Sequence, residues 1–487
     1  MICSSYEKFK NNLKINNFSQ IYTIQKIKDL SALDNLIELV SLNKDSFVFE
    51  SVEKDKIRGR YTIFGFNPDL TIEVNNNQII RTLNNKIIKI KKKNPYNYLN
   101  NLIKNFNFKT SNQIPLMSAM LAGYLGYDII RFKEKISNNC KNDLNIPDLK
   151  LMRPQLVIIY DNEKKKIFFI QNIFKKYKKN YLKNIYQYKC KEIKEFAKQI
   201  SKITCSKEIL KKKENRNKIK SNITKKNFLK SVIKAKKLIN NGEIFQVVLS
   251  QRFESKLNKS PINFYKKLKI LNPSPFMFFF NFSNFQIAGS SPEILVRVRN
   301  NKVTIRPIAG TRPRGKNFKD DIKLEKELLN DKKEISEHLM LLDLGRNDVG
   351  KVSKIGTVKV DEKFKIEKYS HVMHIVSNVV GDFDNKNSLL DTLFAGFPAG
   401  TVSGAPKIRA MEIIDNLESS KRKLYAGGVG YFTPNNEMDT CIALRTALII
   451  DNKIYVQSGA GIVADSIPLN EYKETVNKAK ALFEASK

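Results

Sequence analysis

Cysteine is scarce in this chain, and its spacing excludes two common readings. Cys3, Cys140, Cys190, Cys205 and Cys441 form no CxxC pair, and their number is odd. Neither a disulfide framework nor a zinc ribbon follows from that pattern, and a reducing cytosol fits it. Long apolar runs are missing too. No stretch approaches the ~20 residues of a membrane span, and the N-terminus has no apolar signal core. A soluble, cytoplasmic chain without a membrane partner is expected. Acidic residues are few, with 48 Asp and Glu against 87 Lys and Arg, a net charge of +39. Residues 1–240 hold 50 basic and 20 acidic side chains, or +30; the remainder holds 37 and 28, or +9. The excess is nearly all lysine and comes with abundant asparagine and isoleucine, as in an AT-biased coding sequence. No nucleic-acid module accompanies it, so a nucleic-acid partner is not expected.

Glycine is almost absent from the first half. Only Gly59, Gly65, Gly123 and Gly126 precede residue 241, and the other sixteen follow. Glycine lets backbone approach a ligand closely, so the chemistry is expected in the second half. The length allows about two to four domains. The boundaries expected are an N-terminal region at 1–210, a Lys-rich linker at 211–225 and a second domain at 226–487. Strand patterns outnumber helical ones and do not alternate with them regularly. Helices are expected at 30–42, 96–106, 226–241, 260–270, 321–344, 388–395, 406–417 and 469–486. Strands are expected at Gly59–Gly65, Gln246–Ser250, Met277–Phe282, Leu295–Arg299, Gly428–Phe432, Cys441–Ile450 and Lys453–Val456, among others. The class that results is α+β, with large antiparallel sheets flanked by helices.

Two stretches carry paired carboxylates. Glu334 and Glu337 lie three residues apart on one helix, and Glu471 and Glu474 repeat the spacing near the C-terminus. Two such helices can close around one hard divalent cation, and Mg²⁺ suits oxygen ligands that leave room for water and an anionic substrate. The same spacing also describes two solvated acidic faces.

Several unusual stretches occur in a fixed order. They are Gly289–Ser290–Ser291–Pro292–Glu293, Arg306–Pro307–Ile308–Ala309–Gly310–Thr311–Arg312, the Glu334 helix, and Phe397–Pro398–Ala399–Gly400–Thr401–Val402–Ser403–Gly404–Ala405–Pro406–Lys407. Ala443–Leu444–Arg445–Thr446–Ala447, Gly459–Ala460–Gly461–Ile462–Val463 and the Glu471 helix follow. Together they resemble the chorismate-utilising enzymes, strongly over residues 225–485 and more loosely before. The resemblance implies a sandwich of antiparallel sheets. It also implies a metal held by Glu337 and Glu474, with Glu334 and Glu471 in support, and that metal is Mg²⁺. Glu293 matches the family's general acid, His374 a histidine that assists catalysis and pyruvate loss, and Thr401 a threonine that hydrogen-bonds the substrate. His371 shares an i,i+3 spacing with His374, but no further ligand suggests zinc.

Chemistry at these positions agrees. Chorismate is a dicarboxylate with an enolpyruvyl ether and a hydroxyl. Arg445 is suited to clamp a carboxylate. Backbone N–H groups of Gly459, Ala460 and Gly461 can line an anion cradle. Gly310, Thr311 and Tyr425 offer further polar contacts. Two positions separate the siblings of the family. Those that add water carry a lysine base where this chain has Gln246, and an amide cannot serve as that base. Those that make aminodeoxychorismate carry a nucleophilic lysine where this chain has Ala309. Ammonia attack that leads to anthranilate is therefore implied. No Gly-x-Cys-x-Gly motif is present, so ammonia is expected from a separate glutaminase subunit in a heterotetramer.

The resemblance also implies feedback inhibition by L-tryptophan. Val48–Phe49–Glu50–Ser51 and Asn272–Pro273–Ser274–Pro275–Phe276–Met277 match the family's regulatory stretches. Glu50 and Ser51 supply polar groups, while Pro275, Phe276, Met277 and Tyr431 supply an apolar slot.

Overall fold

The computed structural model describes residues 4–26, 31–51, 59–174, 179–200, 218–369 and 372–487. Residues 211–217 of the expected linker, and His371, lie outside the described residues. Every pairing between strands is antiparallel among the described residues, from Ser19–Lys26 against Lys166–Ile173 to Thr446–Ile450 against Lys453–Ile462. The chain is α+β.

The alternation of side chains explains the layers. In the strand Phe276–Asn281, Met277 and Phe279 pack against helices, including Ser31–Leu42 and Pro261–Leu271. Phe278 and Phe280 point the other way, into a core built mostly by strands with Phe47, Ile159, Val429 and Leu448. A strand has period two, so one run of phenylalanines fills both the helix-covered face and the interior of the sandwich.

The N-terminal region is stitched into the rest. Ser46–Glu50 pairs with Phe276–Asn281, and Leu121–Leu125 pairs with Gly428–Phe432. Tyr61–Asn75 is longer than the expected 59–65 strand. It runs through Pro68, where the register shifts against Leu149–Asp161 and Asn67 takes a φ of 50°.

Two expected elements are each divided. The 321–344 helix is Phe318–Asn330 followed by Lys332–Gly350. Asp331 breaks it, because its side chain accepts the backbone N–H groups of Lys333 (3.0 Å) and Glu334 (3.2 Å) and starts a new helix. The 441–450 strand is Met438–Ile442 and Thr446–Ile450, separated where Arg445 adopts a φ of 47°. The other expected helices stand within about two residues of their predicted ends, as helix boundaries usually do.

Candidate active site

The site is built from strand ends and two helices. Glu293 follows the strand Gln286–Ser291 and is buried. The Thr401 hydroxyl donates to its Oε1 at 3.0 Å. Burial pushes this carboxyl up to about 8, against the opposing pull of the Thr401 hydrogen bond and the Arg445 charge. The group is thus a protonated acid near neutral pH.

His374 sits at the middle of three strands, with Thr311 opposite it on one side and Glu367 on the other. Its Nδ1 lies 3.1 Å from the Gly310 carbonyl and 3.0 Å from the Thr311 hydroxyl. A carbonyl only accepts, so Nδ1 carries the proton and Nε2 keeps its lone pair. Burial lowers the affinity of the ring for a second proton. Gly310 has a φ of 72°, and a Cβ there would crowd Ile375 at 3.0 Å and the Glu334 carboxylate at 3.3 Å.

Arg445 is held in its left-handed turn with its guanidinium 3.5 Å from Asn272 Oδ1. Burial disfavours its charge, and Tyr369 and Glu293 offset this when they are ionised. A largely desolvated guanidinium of this kind is suited to a carboxylate.

Gly459, Ala460 and Gly461 lie within the strand Lys453–Ile462 rather than in a loop, opposite Ser250, Leu249 and Val248. Their glycine content has a steric cause. A Cβ at Gly459 would stand 2.7 Å from the Tyr425 hydroxyl, and one at Gly461 would stand 2.6 Å from Gln246 Nε2. Burial pushes the Tyr425 phenol up to about 12, so it remains a donor.

The four glutamates are close enough to feel one another. Burial raises the Glu337 pKa, and the charges of Glu334 and Glu474 add to it. Burial and Glu474 likewise raise that of Glu471. Yet two of the four hold the protein's own cations: Glu334 pairs with Arg312 at 3.1 Å, and Glu474 with Lys478 at 2.6 Å. Among the described residues no group of three or more His, Cys, Asp or Glu side chains is arranged to hold a metal ion. Mg²⁺ does not demand one, since it is commonly held by one or two carboxylates with water and substrate oxygens. The Glu337–Glu474 pair fits that donor set, because a divalent cation relieves the repulsion that raises Glu337.

The residues expected to form the regulatory slot also come together. Glu50, Ser51, Pro275, Phe276, Met277 and Tyr431 all line one cavity of about 590 Å³. Glu50 lines this cavity with two partners of its own. Its carboxylate already accepts Tyr265 Oη at 2.5 Å and Lys269 Nζ at 2.6 Å, both from the neighbouring helix. Arg297, Arg299 and Arg306 line the same cavity and were missed. The signal was there for two of them, since Arg297 and Arg299 share one face of a strand.

This arrangement of acid, histidine, guanidinium and paired glutamates on an antiparallel sandwich defines a site for an anionic ring substrate, and the chain belongs to the chorismate-binding enzymes. The family match spans residues 44–484. Anthranilate synthase component 1 of Cereibacter sphaeroides is 44% identical, over 99% of this chain and 97% of that protein. Its counterpart in Aquifex aeolicus is 41% identical, over 96% and 94%. The crystal structure of anthranilate synthase component I from Streptococcus pneumoniae superposes with a TM-score of 0.77 at 35% identity, over 89% of this chain and 94% of that one. The isochorismate synthase MenF of Escherichia coli shares the fold, with a TM-score of 0.72 at 19% identity. No helix among the described residues is long and apolar enough to cross a membrane.

Proposed function

We propose that this chain is the chorismate-aminating component of an anthranilate synthase. It converts chorismate and ammonia to anthranilate and pyruvate, the first committed step of tryptophan biosynthesis, in the cytoplasm. The observation that carries this reading is the buried Glu293 carboxyl, which accepts from the Thr401 hydroxyl beside Arg445. Arg445 and the N–H groups around Gly459–Gly461 hold substrate carboxylate. Glu293 gives its proton to the departing hydroxyl as ammonia attacks the ring. His374 Nε2 takes a proton as pyruvate leaves and the ring becomes aromatic. Gln246, an amide at 3.4 Å from Glu337, offers no base for water, so a nucleophile that is already basic is preferred. Mg²⁺, held by Glu337 and Glu474 and supported by Glu334 and Glu471, would neutralise the ring carboxylate and polarise the ring.

In this reading residues 1–210 form the regulatory region, 226–487 the catalytic domain, and 211–225 join them. The 590 Å³ cavity takes L-tryptophan as feedback inhibitor. A separate glutaminase subunit supplies ammonia within a heterotetramer.

Chorismate with Mg²⁺ and ammonium is expected to yield anthranilate, followed by its fluorescence. Isochorismate or 4-aminobenzoate as the main product would overturn the assignment. Glutamine is expected to support turnover only once the glutaminase subunit is added. Glutamine hydrolysis by the isolated chain would refute the division of labour.

A further inference from the structure

Between the cavity and His374 runs a continuous line of side chains. Arg306 and Glu362 line the cavity. The Arg306 guanidinium donates to Glu362 Oε2 at 3.1 Å and grips both oxygens of Glu367, Oε2 at 3.2 Å and Oε1 besides. Tyr369 Oη donates to that same Glu367 oxygen at 2.9 Å. The Tyr369 ring stands edge-on to the His374 imidazole, with centroids 5.5 Å apart at 62°. Glu367 is also the cross-strand neighbour of His374, and its charge favours the protonated ring. Tyr369 acts electrostatically on Arg445 as well.

We propose that Arg306, Glu367 and Tyr369 couple the cavity to the catalytic histidine, with Tyr369 as a positioning residue for His374. The proposal rests on the feedback reading given above. One carboxylate oxygen, Glu367 Oε2, accepts from both the cavity arginine and the tyrosine. A ligand carboxylate that draws Arg306 toward the cavity removes one of those two donors. The Glu367 charge is then less compensated and turns toward Tyr369 and the neighbouring imidazole. Among the described residues His374 is fixed at Nδ1 by Gly310 and Thr311, so a shift of the tyrosine ring changes where its Nε2 points. Such a route has physical content because the ligand interacts differently with the two positions of the arginine.

Tyr369→Phe tests it, since the ring stays and only the hydroxyl goes. The chain contains no tryptophan, so added L-tryptophan contributes the only indole emission and its binding is read directly. Wild type is expected to bind it saturably and to lose activity by about tenfold or more. Tyr369→Phe is expected to bind within about twofold of wild type but to be inhibited less than about twofold at saturation. A residue that merely supports the fold would move both quantities or neither. Glu367→Gln, which weakens both donors' hold, is expected to give the same split and serves if Tyr369→Phe does not fold. Ser51→Phe, in the cavity wall, is expected to lose binding itself. Unchanged binding with full inhibition in both Tyr369→Phe and Glu367→Gln would overturn the relay and leave the feedback reading standing. Absence of tryptophan binding by wild type would overturn both.

Discussion

Replacement of Glu293 by glutamine is expected to lower kcat about 10³-fold or more while chorismate still binds. An amide of the same shape keeps the packing and can accept from Thr401, but it has no proton to give the leaving hydroxyl. General acid catalysis is commonly worth about 10²–10⁴-fold, and here no other protonated carboxyl is placed beside Thr401 and Arg445. The pH profile follows from the same group. With its pKa at about 8 in the free protein, Glu293 is protonated below that value and ionised above it, so kcat/KM is expected to fall on the alkaline side near pH 8. The Thr401 hydrogen bond favours the ionised form, so Thr401→Val is expected to move that limb to higher pH while lowering its plateau. Stability changes in the same direction. The folded pKa is raised, so stability is full below the ordinary carboxylate range and declines as pH rises toward 8. Glu293→Gln is therefore expected to melt above wild type at pH 8 and nearer to it at pH 5. An active Glu293→Gln enzyme, or an alkaline limb unmoved in Thr401→Val, would remove Glu293 from the acid's role.

The second large effect is expected at Glu337. Glu337→Gln should lose Mg²⁺-dependent turnover almost entirely and weaken Mn²⁺ binding, measured by electron paramagnetic resonance, by more than about 100-fold. Glu474→Gln should resemble it, because the Lys478 that pairs with Glu474 is exposed and easily displaced, unlike the more buried Arg312 at Glu334. Glu334→Gln should weaken binding by only about 10-fold, the low end for a residue that supports a ligand without being one. The contrast comes from the structure: Glu334 is turned toward the Arg312 cation, whereas Glu337 among the described residues accepts from the neutral Gln246 amide at 3.4 Å. Equal losses at Glu334 and Glu337 would contradict this ranking, and near-normal turnover in Glu337→Gln would remove the metal assignment.

Much of the site was legible because its chemistry is written in short, rigid stretches. Glu293, Thr401 and the Gly459–Gly461 run each sit in motifs marked by glycine or proline, and Arg445 in a short Ala-Leu-Arg-Thr-Ala run, all readable one residue at a time. What could not be read was who occupies each group. Glu50 looks like a free carboxylate in the sequence, yet Tyr265 and Lys269 reach it from a helix more than two hundred residues away. Glu334 and Glu337 look equivalent by spacing, and only Arg312 separates them. The division of one expected helix at Asp331 had a local sign, an aspartate able to cap, but the apolar period ran through it. The strand through Pro68 was hidden by a residue that normally ends pairing, and a register shift accommodates it.

The pairing of Ser46–Glu50 with Phe276–Asn281, and of Leu121–Leu125 with Gly428–Phe432, also fixes an order of events during synthesis. Both early strands leave the ribosome long before their partners exist. Each can pair early on one side, with Tyr61–Asn75 and Leu149–Asp161, but until the late strands arrive the other edge of each stays open beside Phe47, Val48, Leu121 and Tyr124, all buried in the finished molecule. The nascent N-terminal region by itself leaves two sheet edges open, and such exposed edges favour aggregation of incomplete chains. A truncated chain that stops before residue 428 should accumulate as aggregate rather than as a folded N-terminal domain.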